Sequence, residues 1–223
     1  SSKNTLYSLN PDGSLKWRFD ADKPSYPETA SPAIGSRGTV YMSFWEDGLY
    51  ALNPDDGSIK WKNSESAVSS PVVGADGTIY VIISRPNETG NLLLALNSDG
   101  TEKWTYSGVD RMIKPAVSGD GIIFAKGRHN PQGQYIIEFW AIKSNGTLKW
   151  KNTAVGYAYQ SSPAIGADGT VYIATTKGLY ALDSNDGSIK WYKENLCCSA
   201  PAIGSNGWLY YGTYDNVIYA FGE

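Results

Sequence analysis

Five tryptophans recur along this chain at a spacing no single helix or hairpin can supply. Trp17, Trp61, Trp104, Trp150 and Trp191 stand 41 to 46 residues apart. Two further markers keep the same step: the prolines Pro32, Pro71, Pro115, Pro163 and Pro201, and the glycines Gly38, Gly77, Gly121, Gly169 and Gly207. Three markers in phase over 223 residues define an internal repeat of about 40 residues. A period of that length points to stacked copies of one supersecondary unit, none of which buries its apolar surface alone.

Each copy reads as four short strands. In the clearest copy these are Pro163–Gly166, Thr170–Ala174, Gly178–Leu182 and Ser188–Trp191, with turns at Ala167-Asp168-Gly169 and Ser184-Asn185-Asp186-Gly187. Asp-Gly and Asn-Gly turns are strong hairpin signals because Gly and Asn accept positive φ. The strands are near-continuous runs of Tyr, Ile, Val and Leu, as expected when both faces of a sheet are covered. A radial stack of four-stranded blades covers both faces and leaves only short edges. The fold class expected is therefore all-β, a β-propeller of four-stranded antiparallel blades. It forms one domain over residues 1–223, with essentially no helix.

The chain supplies five first, five second, six third and five fourth strands. It starts at a third strand, Thr5–Leu9, and ends at one, Val217–Phe221. Five blades closed by pairing of the N- and C-terminal strands follow as the expectation, with one third strand in surplus. Closure removes edges that otherwise invite pairing with other chains.

The end of each repeat carries a recognisable phrase. Ala181-Leu182-Asp183-Ser184-Asn185-Asp186-Gly187-Ser188-Ile189-Lys190-Trp191 resembles the tryptophan-docking motif of quinoprotein-type (PQQ-like) repeat propellers, Ala-x-Asp-x-x-Thr-Gly-x-x-x-Trp. Ala51, Asn53, Asp56, Gly57 and Trp61 repeat it. Ala95–Trp104 and Ala141–Trp150 have a turn one residue shorter, and Ser8–Trp17 is the weakest match. The physical sense stands without the family. Gly closes the hairpin, Ala permits close approach, and the indole fills the wedge between neighbouring blades while its N–H finds a backbone acceptor. The five tryptophans are thus structural docking residues. The resemblance also implies similarity to the propeller of the outer-membrane assembly lipoproteins.

Composition narrows the function. The net charge is −3 and there is no Lys/Arg run, which argues against nucleic acid. No apolar stretch is long enough for a transmembrane helix. A single histidine, His129, leaves little room for histidine catalysis. Every acidic turn, Pro54-Asp55-Asp56-Gly57 among them, has a hairpin explanation. No metal site, cofactor or catalytic residue is therefore assigned. First strands of Pro, Ala, Ile and Val offer no paired carboxylates for glycoside cleavage. The expectation is a monomeric, non-enzymatic binding or scaffolding module, located outside the cytoplasm, that engages a protein or carbohydrate ligand. The alternative is a PQQ-dependent dehydrogenase, or a degenerate remnant of one.

Loops joining strands one to two, and three to four, are short and alike. The other two sets vary and share one face, and variable loops on a rigid scaffold usually carry function. The variable loops between strands two and three include Phe44–Asp47, Arg85–Thr89 and Lys126–Gln132. The connections between blades include Lys23–Pro27, Val109–Met112, Tyr157–Gln160 and Asn195–Cys198. They offer Tyr26, Trp45, Arg111, Tyr157 and Tyr159, residue types that carry interface hot spots. Cys197 and Cys198 join the partner-binding set. In quinoprotein alcohol dehydrogenases an adjacent Cys pair forms a ring disulfide over the cofactor. Adjacent Cα atoms lie about 3.8 Å apart, below the usual disulfide range of about 4.4–6.8 Å. Two buried small apolar residues is the other reading of the pair.

Overall fold

The structure is a computed structural model that describes residues 4–23, 30–88, 90–109, 111–129, 136–154, 162–194, 199–213 and 217–222. Among the described residues every regular element is a strand. The chain divides into two compact units, residues 1–107 and 108–223.

The first unit opens with a two-stranded sheet, β1 (Thr5–Leu9) and β2 (Leu15–Asp20). A four-stranded sheet follows: β3 (Ala33–Ile34), β4 (Val40–Phe44), β5 (Gly48–Leu52) and β6 (Ile59–Asn63), in that order. The next comprises β7 (Ser66–Ala67), β8 (Val72–Val73), β9 (Ile79–Ser84), β10 (Asn91–Leu96) and β11 (Glu102–Val109); both β7 and β8 pair with β9. The first-strand position is thus split, because the Ser69–Pro71 stretch breaks the ladder and a proline has no N–H to donate.

The second unit holds β12 (Arg111–Val117), β13 (Ile123–His129), β14 (Ile136–Ile142) and β15 (Leu148–Asn152), paired in sequence order. It continues with β16 (Ala164–Ile165), β17 (Val171–Ala174), β18 (Gly178–Leu182) and β19 (Ile189–Glu194), then a three-stranded sheet of β20 (Ala202–Ile203), β21 (Leu209–Gly212) and β22 (Ile218–Phe221). All described pairings are antiparallel. The terminal sheets are separate in hydrogen bonding: the expected mixed blade has no ladder among the described residues.

Two expected loops are strand instead. Val109 ends β11, while Arg111 and Met112 begin β12; Lys126 to His129 complete β13. Arg111 pairs with Arg128 and Ile113 with Lys126, so the ladder runs past the point where the repeat predicted it to stop. A bulge between Ile113 and Ala116, with Lys114 at φ +21°, shifts the register by one residue around Pro115 and lets the ladder continue on both sides.

Packing follows the two-residue period of a strand. On β4 and β5, Tyr41, Leu49 and Ala51 face one core, shared with Ile79, Val81, Ile83 and Leu94 of the next sheet. Their neighbours Val40, Phe44, Tyr50 and Leu52 face the opposite core, with Trp17 and Ala21. In the second unit Phe124, Phe139 and Ala141 pack with Val171, Ile173 and Leu182, while Ala174 and Leu179 pack with Leu209 and Tyr211. Consecutive side chains of one strand therefore belong to different cores.

The tryptophans lock this stacking. Trp17 donates its indole N–H to the Pro54 carbonyl, Trp61 to Ser98 and Trp150 to Ser184, each at 2.9 Å. Each acceptor lies in the hairpin turn of the following sheet. The indole lies flat on that turn: a Cβ added at Gly57 would come within 2.8 Å of the Trp17 ring. Gly57 also holds φ +73°, which a side chain disfavours. The residue opposite four of the tryptophans is small: Ser8 for Trp17, Ala51 for Trp61, Ala141 for Trp150 and Ala181 for Trp191. A second-strand aromatic supports the ring, as Tyr41 does for Trp61 at 5.7 Å between centroids and Tyr80 for Trp104 at 5.8 Å.

Trp191 differs. It leans on Tyr172 at 5.8 Å but is 39% exposed, whereas Trp17 and Trp150 are buried. Trp17→Ala or Trp150→Ala should cost about 3–5 kcal/mol, the range for truncating a large buried side chain. Trp191→Ala should cost under about 1 kcal/mol, as exposed substitutions do. Urea unfolding of the three variants measures this, and similar losses for all three would contradict it.

Candidate variable-loop site

The described part of the variable-loop face is best built around Trp45. The turn Trp45–Asp47 joins β4 to β5 and is closed by the Asp47 N–H donating to the Phe44 carbonyl at 3.1 Å. Its tightness has two marks. Glu46 adopts φ +60°, and Gly48 sits at φ +110°, where a Cβ would lie 2.2 Å from the Asn63 carbonyl oxygen. Trp45 is left half-buried at the tip, while the Asp47 side chain is turned fully inward.

Buried Asp47 is satisfied from three directions. Lys62 Nζ donates to Oδ1 at 2.7 Å, Tyr50 Oη to Oδ2 at 2.8 Å, and the Lys23 backbone N–H to Oδ2 at 3.3 Å. Lys62 also reaches Asp22 at 3.0 Å and lies 4.7 Å from the Tyr50 ring centroid. The Lys23 ammonium donates to the Glu46 carbonyl at 3.1 Å. One network thus ties the connection leaving β2, the β4–β5 turn and β6.

The electrostatics are those of a paired cluster. Burial pushes the Asp47 carboxyl up, but the donors Lys62, Tyr50 and the Lys23 backbone outweigh it and hold it below the usual carboxylate range. Asp22 is lowered by its bonds from Lys62 and Tyr50. Burial, with the two acidic neighbours, pushes the Tyr50 hydroxyl up to about 12.

A second network follows the same plan. Arg85, in the turn after β9, donates to Glu65 at 3.0 Å and to Glu102 at 2.7 Å. It binds the connection after β6 to the first residue of β11.

The cross-strand pair beneath these loops varies. Tyr50 opposite Lys62 in one sheet is Trp140 opposite Lys151, and Tyr180 opposite Tyr192, in others. Lys151 reaches Glu138 at 3.3 Å, and the two tyrosine rings stack at 4.4 Å. The repeat keeps its turns constant and varies the support under its variable loops.

Of the residues proposed from sequence, Trp45 stands on the described loop and Arg111 lies on β12 rather than in a connection. Tyr26, Tyr157, Tyr159, Cys197 and Cys198 lie outside the described residues. Asp22, Tyr50, Lys62, Arg85 and Glu102 were not singled out, since each reads as an ordinary strand or turn residue. The one available signal was the lysine after the docking tryptophan, in Lys60-Trp61-Lys62 and Lys149-Trp150-Lys151. Among the described residues no group of three or more His, Cys, Asp or Glu is placed to hold a metal.

Lys126 is a buried outlier on β13, 1% exposed, where the matching residues are Ser43, Ile82, Ala174 and Gly212. Burial, and then the charge of Lys114, push its amine down to about 7.

Repeated sheets, docked tryptophans and constant Asp-Gly turns define the chain as a propeller of the PQQ-like repeat class. It belongs to the family described as outer membrane protein assembly factor BamB, whose profile matches residues 2–221. It is 28% identical to the BamB of Yersinia pestis over 216 residues, covering 86% of this chain and 52% of that protein. The chain spans about half, or less, of the length of the curated relatives it matches. Among solved structures, BamB from Moraxella catarrhalis superposes with a TM-score of 0.67 at 19% identity, covering 94% of this chain and 62% of that one. A gluconolactonase of Xanthomonas campestris shares the fold at TM-score 0.56 and 13% identity, over 82% of this chain and 68% of its own.

Two pH effects follow. Asp22 and Asp47 have folded pKa values below their unfolded values. Their stabilisation is present above the unfolded carboxylate range, near pH 4, and is lost as pH falls through the folded values. Asp47→Ala, which strands Lys62 and Tyr50, should cost about 2 kcal/mol and flatten the acid limb of a stability–pH curve. An unchanged acid limb would contradict the assignment. Lys126 behaves oppositely. Its folded pKa lies below its unfolded value, so the burial penalty is full below pH 7 and fades towards the unfolded pKa near 10.4. Between pH 7.5 and 9.5 the protein should gain about 2 kcal/mol that Lys126→Met does not. Parallel urea titrations of the two proteins measure the difference.

Proposed function

We propose that this chain is a non-enzymatic, extracytoplasmic binding module that engages a protein through its variable-loop face. The observation that carries the reading is the contrast within one repeat. The hairpin turns at Asp56-Gly57, Asp99-Gly100 and Asp186-Gly187 each seat a docking tryptophan, whereas the turn bearing Trp45 is strapped from beneath by Asp47 and Lys62 and leaves its indole half-open. A rigid loop presenting a partly exposed aromatic is a low-entropy contact surface. Kinship with assembly factors of the outer membrane supports a protein rather than a carbohydrate as ligand, and the periphery of the cell as the place. Tyr26, Tyr157, Tyr159, Arg111 and the Cys197–Cys198 pair remain proposed contributors.

A photo-reactive amino acid at position 45 should cross-link a protein from the source organism's envelope, and one at Asp56, on the opposite turns, should not. Trp45→Ala should weaken the interaction about tenfold or more with little change in melting temperature. Cross-linking confined to position 56 would place binding on the other set of turns.

A further inference from the structure

The β4–β5 loop is longer than its strands require. Strands β17 and β18 are joined through two residues, Thr176 and Lys177, closed by reciprocal backbone bonds between Thr175 and Gly178 at 2.9 and 3.3 Å. On β4 and β5 the last pair is Phe44 with Gly48, which leaves three residues, Trp45, Glu46 and Asp47. The strand ends are otherwise alike. Gly48 and Gly178 both sit under a fourth-strand carbonyl, where a Cβ would lie 2.2 Å from the Asn63 oxygen and 2.0 Å from that of Lys193. Sheet pairing therefore does not demand the extra residue. The longer loop also carries strain, because Glu46 holds φ +60°, a left-handed conformation normally left to Gly or Asn. Strain of this kind persists where the surroundings enforce it, and it concentrates at functional positions.

The strained turn displays two neighbouring groups. Trp45 is half-buried and Glu46 is exposed. The cations around them are turned elsewhere. Lys62 is committed to Asp47 and Asp22. The Lys23 ammonium donates to the main-chain carbonyl of Glu46, at 3.1 Å, rather than to its carboxylate. Among the described residues no cation pairs with the Glu46 carboxylate. Adjacent Cα atoms are about 3.8 Å apart, so one ligand group spans the indole and the carboxylate together.

We propose that Trp45 and Glu46 form a subsite for an arginine side chain of the protein partner; this rests on the reading of the variable-loop face as the binding surface. A planar guanidinium stacks on an indole face and offers a carboxylate two parallel N–H donors. A lysine ammonium is a compact, strongly hydrated point charge and matches neither shape. The buried Asp47 fixes the loop from beneath, and Glu46 supplies the charge that faces outward. The left-handed backbone at Glu46 is what sets that carboxylate beside the indole.

Nuclear magnetic resonance of the isotope-labelled 223-residue chain tests this. The probes are acetyl-arginine amide and acetyl-lysine amide, and the signal is the Trp45 indole N–H, identified by its loss in Trp45→Phe. The arginine probe should shift that signal saturably, and the lysine probe should bind about tenfold more weakly. Glu46→Gln, which keeps the loop length and removes the charge, should weaken the arginine probe about fivefold or more. Glu46→Gly should weaken it similarly while melting no lower than the wild type, because glycine relieves the left-handed backbone. An indole signal unmoved by the arginine probe, equal binding of both probes, or wild-type affinity in Glu46→Gln would overturn the subsite. A clear fall in the melting temperature of Glu46→Gly would overturn the argument from strain. Photo-cross-linking from position 45 separates the two levels: if it persists beside a failed probe titration, the arginine subsite alone falls, and if both fail, the loop-face reading falls with it.

Discussion

A single polar contact, the indole N–H of one sheet on a turn carbonyl of the next, sets the geometry on which the rest of this protein depends. The hydrogen bond itself contributes only about 1 kcal/mol. Its role is positional. It requires the acceptor turn to lie within 2.9 Å of a ring anchored on the neighbouring sheet. That ring must also lie flat on a glycine, because a methyl group there would collide with it. Once that distance is fixed, the spacing of the two sheets is fixed, and side chains of one alternation fill the gap between them. The small residue opposite each tryptophan and the tyrosine behind it follow from the same demand for a flat, close seat.

The architecture was legible because this constraint repeats. Trp, Gly and Pro keep step over the whole chain, and the turn chemistry of Asp56-Gly57 or Asp99-Gly100 names its hairpin locally. What repetition cannot encode was missed. The Lys126–His129 segment read as loop because Lys, Arg and His interrupt the apolar pattern, yet pairing with β12 and β14 carries it on as strand. Trp191 carries the same phrase as Trp61, and nothing in that phrase marks it as the more exposed of the two.

The loop face was less readable for a related reason. Trp45 announced itself as a large aromatic among polar neighbours. Asp47 and Lys62 did not, although they decide whether Trp45 is held still. They are 15 residues apart and meet only because β5 and β6 pair in the register that sets Tyr50 opposite Lys62. Support of this kind is written in tertiary structure, and it differs between sheets: an ion cluster in one, stacked tyrosines in another.

The alternation of consecutive side chains between two cores bears on how such a chain can change length. Inserting one residue into β4 would send Tyr41 to the core that now holds Val40 and Phe44, and scramble two interfaces at once. A three-residue insertion would do the same. Adding or removing a complete unit of about 43 residues exchanges one intact interface for another and disturbs neither. Lineages built on this plan should therefore gain and lose sequence in whole-repeat quanta. Smaller length variation should be confined to the variable loops.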